Sequence, residues 1–232
     1  MLDLGALRFG RWTCPVCGNR AHVRLNDSDV GVRCLRCGAS AITQSIVGVI
    51  KAECPDLSGK DAYELSSRGA MVGWLEKHVR SLTTSEYIEG VESGTSLRGV
   101  RCENVEQLTF PDDSFDLCTS TEVFEHVEDD MAGFREIRRV LRAGGVLIFT
   151  VPMSASPNTI ERARRENGVW VHLLEPEYHS DPYSGHAPSL CIRNYGLDIQ
   201  DRLLQAGFTS ASLVHPQSDM MGYARAVAVA RR

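Results

Sequence analysis

The run NVEQLTFPDDSFDLCTSTEVFEHVEDDMAGFREIRRVLRAGGVLIFTVP, residues 104–152, decides the fold. Two apolar segments, FDLCTST at 115–121 and VLIFTVP at 146–152, flank a stretch in which Phe134, Ile137, Val140 and Leu141 recur at helical spacing on one face. Aspartates precede that stretch, where a carboxylate can accept from free backbone N–H groups, and Gly144-Gly145 follow it. A strand, a helix and a second strand at this spacing predict a parallel pair joined by a crossover helix.

The same alternation continues outward. DAYEL (61–65), SLTTSE (81–86) and LRGVRC (97–102) read as strands, with a helix around AMVGWLEKHV between the first two. Further upstream, Ile42, Ile46, Val49 and Ile50 carry a helix through SAITQSIVGVIKAE until Cys54-Pro55 stops it. Downstream, a helix in GLDIQDRLLQAGF precedes two strand-like runs, TSASLVH and ARAVAVARR. The expected class is α/β: a Rossmann-like, doubly wound, mostly parallel sheet of seven strands with a C-terminal antiparallel hairpin, occupying residues 41–232. The long polar segment 153–195 is the expected substrate-binding or lid element, because long insertions in compact domains usually carry function. It holds His172, His179 and His186 beside Trp170, Glu175, Glu177 and Tyr178.

Residues 1–40 follow a different rule. Cys14 and Cys17, then Cys34 and Cys37, form two C-x2-C knuckles separated by sixteen residues, each knuckle followed by glycine. That spacing lets four thiolates meet on one Zn2+, with a short hairpin of AHVRL and GVRC between the knuckles. The expectation is a small zinc ribbon whose closed four-thiolate site is structural, with His22 on the hairpin surface. Cys54, Cys102, Cys118 and Cys191 are scattered singly and read as core residues.

Hydrophobic residues make up 43% and charged residues 24%, ordinary values for a globular chain. No apolar run approaches the roughly 20 residues of a membrane helix, so no membrane partner is expected. The first residues lack a basic start and a long apolar middle, which predicts a cytoplasmic protein. A net charge of −5 disfavours broad nucleic-acid binding. Within residues 1–40, six arginines against three aspartates leave a small positive excess, and four thiolates around Zn2+ reduce it further. The ribbon is therefore a weak RNA binder at best, and docking on the main domain, a carrier or a protein partner suits it as well.

Residues 104–152 closely resemble the second half of class I S-adenosylmethionine-dependent methyltransferases of the type 11 group. The resemblance lies in L-x-F-P-x-x-S-F-D, a strand, E-V-x-E-H, a helix, and L-R-x-G-G before the next strand. In that family the first strand ends in a glycine-rich turn after an acid. Here the turn reads Glu64-Leu65-Ser66-Ser67-Arg68-Gly69-Ala70 and keeps the acid and one glycine.

The resemblance implies S-adenosylmethionine as cofactor, held by a substituted site. Ser66 and Arg68 would meet its carboxylate, and Glu64 its ammonium, with Gly69 in the turn. Glu86, 22 residues after Glu64, suits the ribose hydroxyls. Asn104 and Val105 lie where the family contacts adenine, and Ser120 and Thr121 end the strand beside the methyl site. Candidate bases for acceptors that must lose a proton are His172, His179 and the motif-derived His126. His172, Glu177 and His179 lack the regular spacing of a second metal site. Acidic charge and resemblance together point to methyl transfer to oxygen or nitrogen of a small molecule. An RNA methyltransferase that uses the ribbon for substrate, and a non-catalytic interaction protein, remain as rivals.

Overall fold

The computed structural model describes residues 5, 7–28, 30–179 and 188–232. The N-terminal module has three short strands, β1 (Arg8–Arg11), β2 (Ala21–Arg24) and β3 (Val32–Cys34), in one antiparallel sheet. The expected hairpin is β2–β3, and β1 adds a third strand against β2. After it come α1 (Ala41–Glu53), β4 (Asp61–Glu64), α2 (Ala70–Leu75), β5 (Ser81–Thr84), β6 (Ser96–Leu97), β7 (Val100–Arg101) and β8 (Phe115–Thr121). Then follow α3 (Asp130–Val140) and β9 (Leu141–Thr150). Segment 153–195 contributes β10 (Ile160–Glu161), β11 (Ala163–Glu166), β12 (Val169–His172), β13 (Tyr178–His179), β14 (Ser189–Leu190) and β15 (Arg193–Asn194). The chain ends with α4 (Ile199–Gln205), β16 (Ser210–Val214) and β17 (Val227–Arg231).

The main sheet runs β16-β17-β9-β8-β4-β5. Strands β5, β4, β8 and β9 are parallel, whereas β17 is antiparallel to β9 and β16 antiparallel to β17. The doubly wound plan and closing hairpin are present, but with six strands instead of seven. The segment 97–102 bends at Arg98 and Gly99, which have φ of 52° and 81°. Positive φ at both central residues makes the two-residue turn whose twist matches a β-hairpin. The segment therefore pairs with itself as β6–β7 and, among the described residues, reaches the sheet through a Glu86–Cys102 parallel bridge.

Period-two alternation splits the core between the faces of the sheet. Leu147 and Phe149 of β9 join Phe124, Phe134, Ile137 and Leu203 on the α3/α4 side, while Val146 and Ile148 join Ile46, Ile50, Trp74 and Leu75 on the α1/α2 side. Helix α3 begins at its Asp129 cap, which accepts from the Ala132 N–H at 2.9 Å. It ends at Val140, before the expected glycines. Leu141 already pairs with Phe115, and Gly144, with φ of 76°, sits in the irregular start of β9. Segment 153–195 is an array of small antiparallel pairs, β10–β15, β11–β12 and β13–β14, and not a structureless loop; its residues 180–187, with His186, lie outside the described residues. Among the described residues, no helix is long and apolar enough to cross a membrane.

Candidate active site

The sheet's chain path reverses between β4 and β8: from β4 the chain moves outward to β5, then returns to the other side of β4. In open α/β sheets, ligands bind beyond the carboxyl ends of the strands at such a switch point. Glu64 and Leu65 end β4 there, Ser85 and Glu86 follow β5, and Ser120 and Thr121 end β8.

Glu64 is buried and accepts from the Thr119 hydroxyl. Burial pushes its carboxyl up to about 8, with the Thr119 hydroxyl opposing and the Glu86 charge adding to the rise. Glu86 turns back toward the altered turn, where one oxygen accepts from the Ser67 N–H at 2.7 Å, the Ser67 hydroxyl at 2.8 Å and the Ser66 hydroxyl at 3.4 Å. Ser66 and Ser67 of the turn are thus tied to Glu86, which follows β5. Gly69, with φ of 107°, precedes α2 in a conformation few other residues adopt, and Arg68 beside it is exposed.

Asn104 closes its own turn, its side-chain oxygen accepting from the Glu106 N–H at 3.0 Å, and Val105 is buried against the α3-side core. Ser120, Thr121 and Thr150 have buried hydroxyls without hydrogen-bond partners at the adjoining ends of β8 and β9. Buried polar groups are ordinarily paired, so these orphans mark where a polar ligand fits.

Beyond β8, a single turn of tight helix at Phe124–His126 is locked by the cap segment. The Ile192 N–H donates to the Glu125 carbonyl at 2.7 Å, and the buried Arg193 guanidinium donates to the carbonyls of Phe124, Val127 and Glu128. The Tyr195 hydroxyl donates to Asp130 at 2.7 Å, and Arg202 pairs with the same carboxylate. This network brings His126 and His179 together, their ring centroids 4.9 Å apart. Between them lies Glu125, which is fully buried. The Glu125 carboxylate facing one nitrogen of His179 raises its pKa, burial opposes the rise, and Glu177 on the other nitrogen supports it. His172 ends β12, exposed and opposite Ala163, outside this cluster. Glu125 is the residue that sequence reasoning passed over; its signal was adjacency to His126, and a lone glutamate after a strand reads as solvated.

In the N-terminal module the Cys14 and Cys37 sulfurs are 3.8 Å apart, those of Cys17 and Cys34 3.6 Å, and all four lie within 4.8 Å of one another. Burial alone would raise the Cys34 thiol, but the backbone N–H groups of Cys37 and Arg36 and the Asn19 amide outweigh it and bring it down to about 6. His22 is not on the hairpin surface. It is buried against Trp12, with ring centroids 3.7 Å apart, because β1 lays Trp12 across β2.

Residues 65–149 match the methyltransferase domain family. A malonyl-[acyl-carrier protein] O-methyltransferase of Halorhodospira halophila is 28% identical over 112 residues, 48% of this chain and 32% of that protein. A ubiquinone/menaquinone biosynthesis C-methyltransferase of Stenotrophomonas maltophilia is 52% identical over 46 residues, 20% of this chain and 18% of that protein. The matches thus span a third or less of either curated relative.

Among solved structures, the S-adenosylmethionine-dependent methyltransferase from Mesorhizobium loti aligns with a TM-score of 0.52 at 18% identity, over 81% of this chain and 98% of that one. The 1,6-didemethyltoxoflavin-N1-methyltransferase of Burkholderia thailandensis, with its substrate and S-adenosylhomocysteine bound, aligns with a TM-score of 0.53 at 17% identity, over 83% and 78%. These likenesses establish the methyltransferase fold, with its mixed α/β sheet. The methyltransferase-domain match contains the turn at 66–69, Glu86, Asn104 and the orphan hydroxyls of β8.

Proposed function

We propose that the chain is an S-adenosylmethionine-dependent methyltransferase that passes the methyl group to oxygen or nitrogen of a small molecule. The observation that carries the reading is the overlap of the methyltransferase-domain match at 65–149 with polar groups at the switch point: the Glu86-tied turn and the orphan hydroxyls of Ser120 and Thr121, with Glu64 immediately before the match.

The bound cofactor would supply a methyl group activated by a sulfonium. The chain's own residues hold and align. Glu64 favours an ammonium, with Ser66, Arg68 and the Gly69 backbone around the carboxylate. The second Glu86 oxygen is left for ribose hydroxyls once the first has ordered the turn. The Asn104 amide and Val105 border the adenine position, and Ser120 and Thr121 line the methyl position. In-line displacement needs the acceptor aligned and water excluded, which falls to the cap of residues 153–195. Where the acceptor must lose a proton, His126 and His179 stand in the cluster beyond β8, whereas exposed His172 is the weaker candidate base.

The four cysteines fit a structural Zn2+. Tetrahedral Zn–S bonds of about 2.3 Å place sulfurs about 3.8 Å apart, close to the separations found. The small positive excess of this module and the net charge of −5 favour a small acceptor over RNA.

Calorimetric titration of the zinc-loaded protein with S-adenosylhomocysteine tests the reading. Micromolar binding by the parent, lost in Glu86→Ala and weakened in Arg68→Ala, is the expected result. A folded protein with no detectable binding overturns it and leaves the interaction-protein reading.

A further inference from the structure

The three donors Glu125, His126 and His179 converge beyond the end of β8, with the buried Glu125 carboxylate between the two rings. The residue is fully buried, and the groups facing its carboxylate are the two imidazole rings, at distances longer than an ordinary hydrogen bond. A buried carboxylate is costly unless paired, and two imidazole nitrogens converging on one is a donor set that a cation completes. One of its oxygens lies 3.6 Å from His126 Nε2 and 3.5 Å from His179 Nδ1.

The far side of each ring is already engaged. His126 Nδ1 lies 2.7 Å from the Leu190 carbonyl oxygen, which can only accept, so the proton is on Nδ1. That leaves Nε2 as the nitrogen turned toward the Glu125 oxygen. His179 Nε2 lies 3.2 Å from Glu177, whose other oxygen is 3.3 Å from Arg162. A histidine that binds a metal through one nitrogen generally donates from the other to a carbonyl or carboxylate, which fixes the ring. Both outer contacts are in place here.

We propose that Glu125, His126 and His179 bind a divalent transition-metal ion through Glu125 carboxylate oxygen, His126 Nε2 and His179 Nδ1. Metal–ligand bonds of about 2.0–2.2 Å in tetrahedral geometry separate neighbouring donors by about 3.4 Å, matching the spacings found. Two imidazoles and one carboxylate suit zinc, manganese or iron(II), and leave coordination positions for water or another oxygen ligand. The histidine side chains are 20% and 30% exposed, so the fourth side is reachable from solvent.

Glu177, His179 and Cys191 form an overlapping set, but it is the poorer one. Both Glu177 oxygens are occupied, and burial raises the Cys191 thiol to about 11 while it donates to the Arg193 carbonyl. The local backbone holds the chosen set without any ion, through the Ile192, Arg193 and Leu190 contacts to the 124–127 turn.

Metal content after equilibration with buffered Zn2+ distinguishes this site from the cysteine cluster. The parent chain should hold two ions and the His126→Gln/His179→Gln variant one, with unchanged circular dichroism. With Co2+ as probe, the second equivalent should bind without adding thiolate-to-metal charge-transfer absorption. Glu177→Gln, which leaves all three ligands intact, should weaken the second equivalent by about 10-fold. One ion per parent chain, or two retained in the double variant, overturns the site. If the double variant fails to fold, the Co2+ titration of the parent and of Glu177→Gln decides alone. No step of the test depends on methyl transfer.

Discussion

At the scale of single residues, burial sets two titrations of opposite sense. The Glu64 carboxyl is raised from 4.5 to about 8, so the folded state holds its proton more tightly than the unfolded chain. Its stabilising contribution is complete below about 4.5 and fades as pH rises toward 8, at about 1.4 kcal/mol per pH unit. Glu64→Gln should flatten that slope in urea titrations between pH 5 and pH 8, and an unchanged slope would remove Glu64 as its source. If Glu64 meets the cofactor ammonium, binding drives the proton off, so binding heats at pH 7 should vary with buffer ionisation enthalpy in the parent and not in the variant. His22 moves the other way. Its ring is buried against Trp12, and burial lowers its pKa below 6.5 against the opposing pull of the Gln44 side chain and the Arg20 backbone. The contribution is present above about 6.5 and is lost as pH falls through the lowered value. His22→Phe keeps a ring on Trp12 and carries no charge, so it should reduce acid loosening of the N-terminal module, read as Trp12 fluorescence between pH 7 and pH 5, leaving the part due to thiolate protonation.

At the scale of elements, the Arg98–Gly99 turn explains why one expected strand folds back on itself. A β-carbon at Gly99 would meet no atom within 4 Å, so Gly99→Ala costs only the left-handed backbone, about 1 kcal/mol in urea unfolding. A neutral substitution would mean that this turn does not hold β6 against β7. The surrounding elements were legible because their signals are local: period-two residues in β8 and β9, helical spacing in α3, and an Asp129 cap. The end of α3 was less so, since the bulged pairing of Leu141 with Phe115 overrides the glycines as a stop. The altered turn and Glu86 stood out in sequence as acids and serines at strand ends, but their mutual hydrogen bonds depend on the parallel pairing of β4 with β5. Glu125 was not legible, because its burial is imposed by Ile192 and Arg193, which come more than sixty residues later.

At the scale of the molecule, the cysteine module is packed on the sheet domain through α1. Trp12 donates to the Gln44 side chain at 2.8 Å, Lys51 donates to the Pro15 carbonyl at 2.5 Å, and Val16 packs against the α1/α2 core. Val32 is buried with Ala41 and Met220, so the joint draws on both ends of the described chain. Three strands of three or four residues bury too little apolar surface to stand alone, and on the proposal that the four cysteines hold Zn2+, metal binding would supply the folding energy. Among the described residues, the α3/α4-side core has none from this module, so that core is expected to outlast loss of the cysteine cluster. Chelation should therefore unfold residues 8–38 first, expose Trp12, and leave a cooperative thermal transition for the sheet. Tryptophan emission would shift to the red in the parent, with a Trp12→Phe variant showing little change, while far-ultraviolet helical signal persists. Loss of both signals in one transition would show that α1, stripped of Trp12 and Val16, cannot hold its face of the sheet, and that module and sheet unfold as one unit.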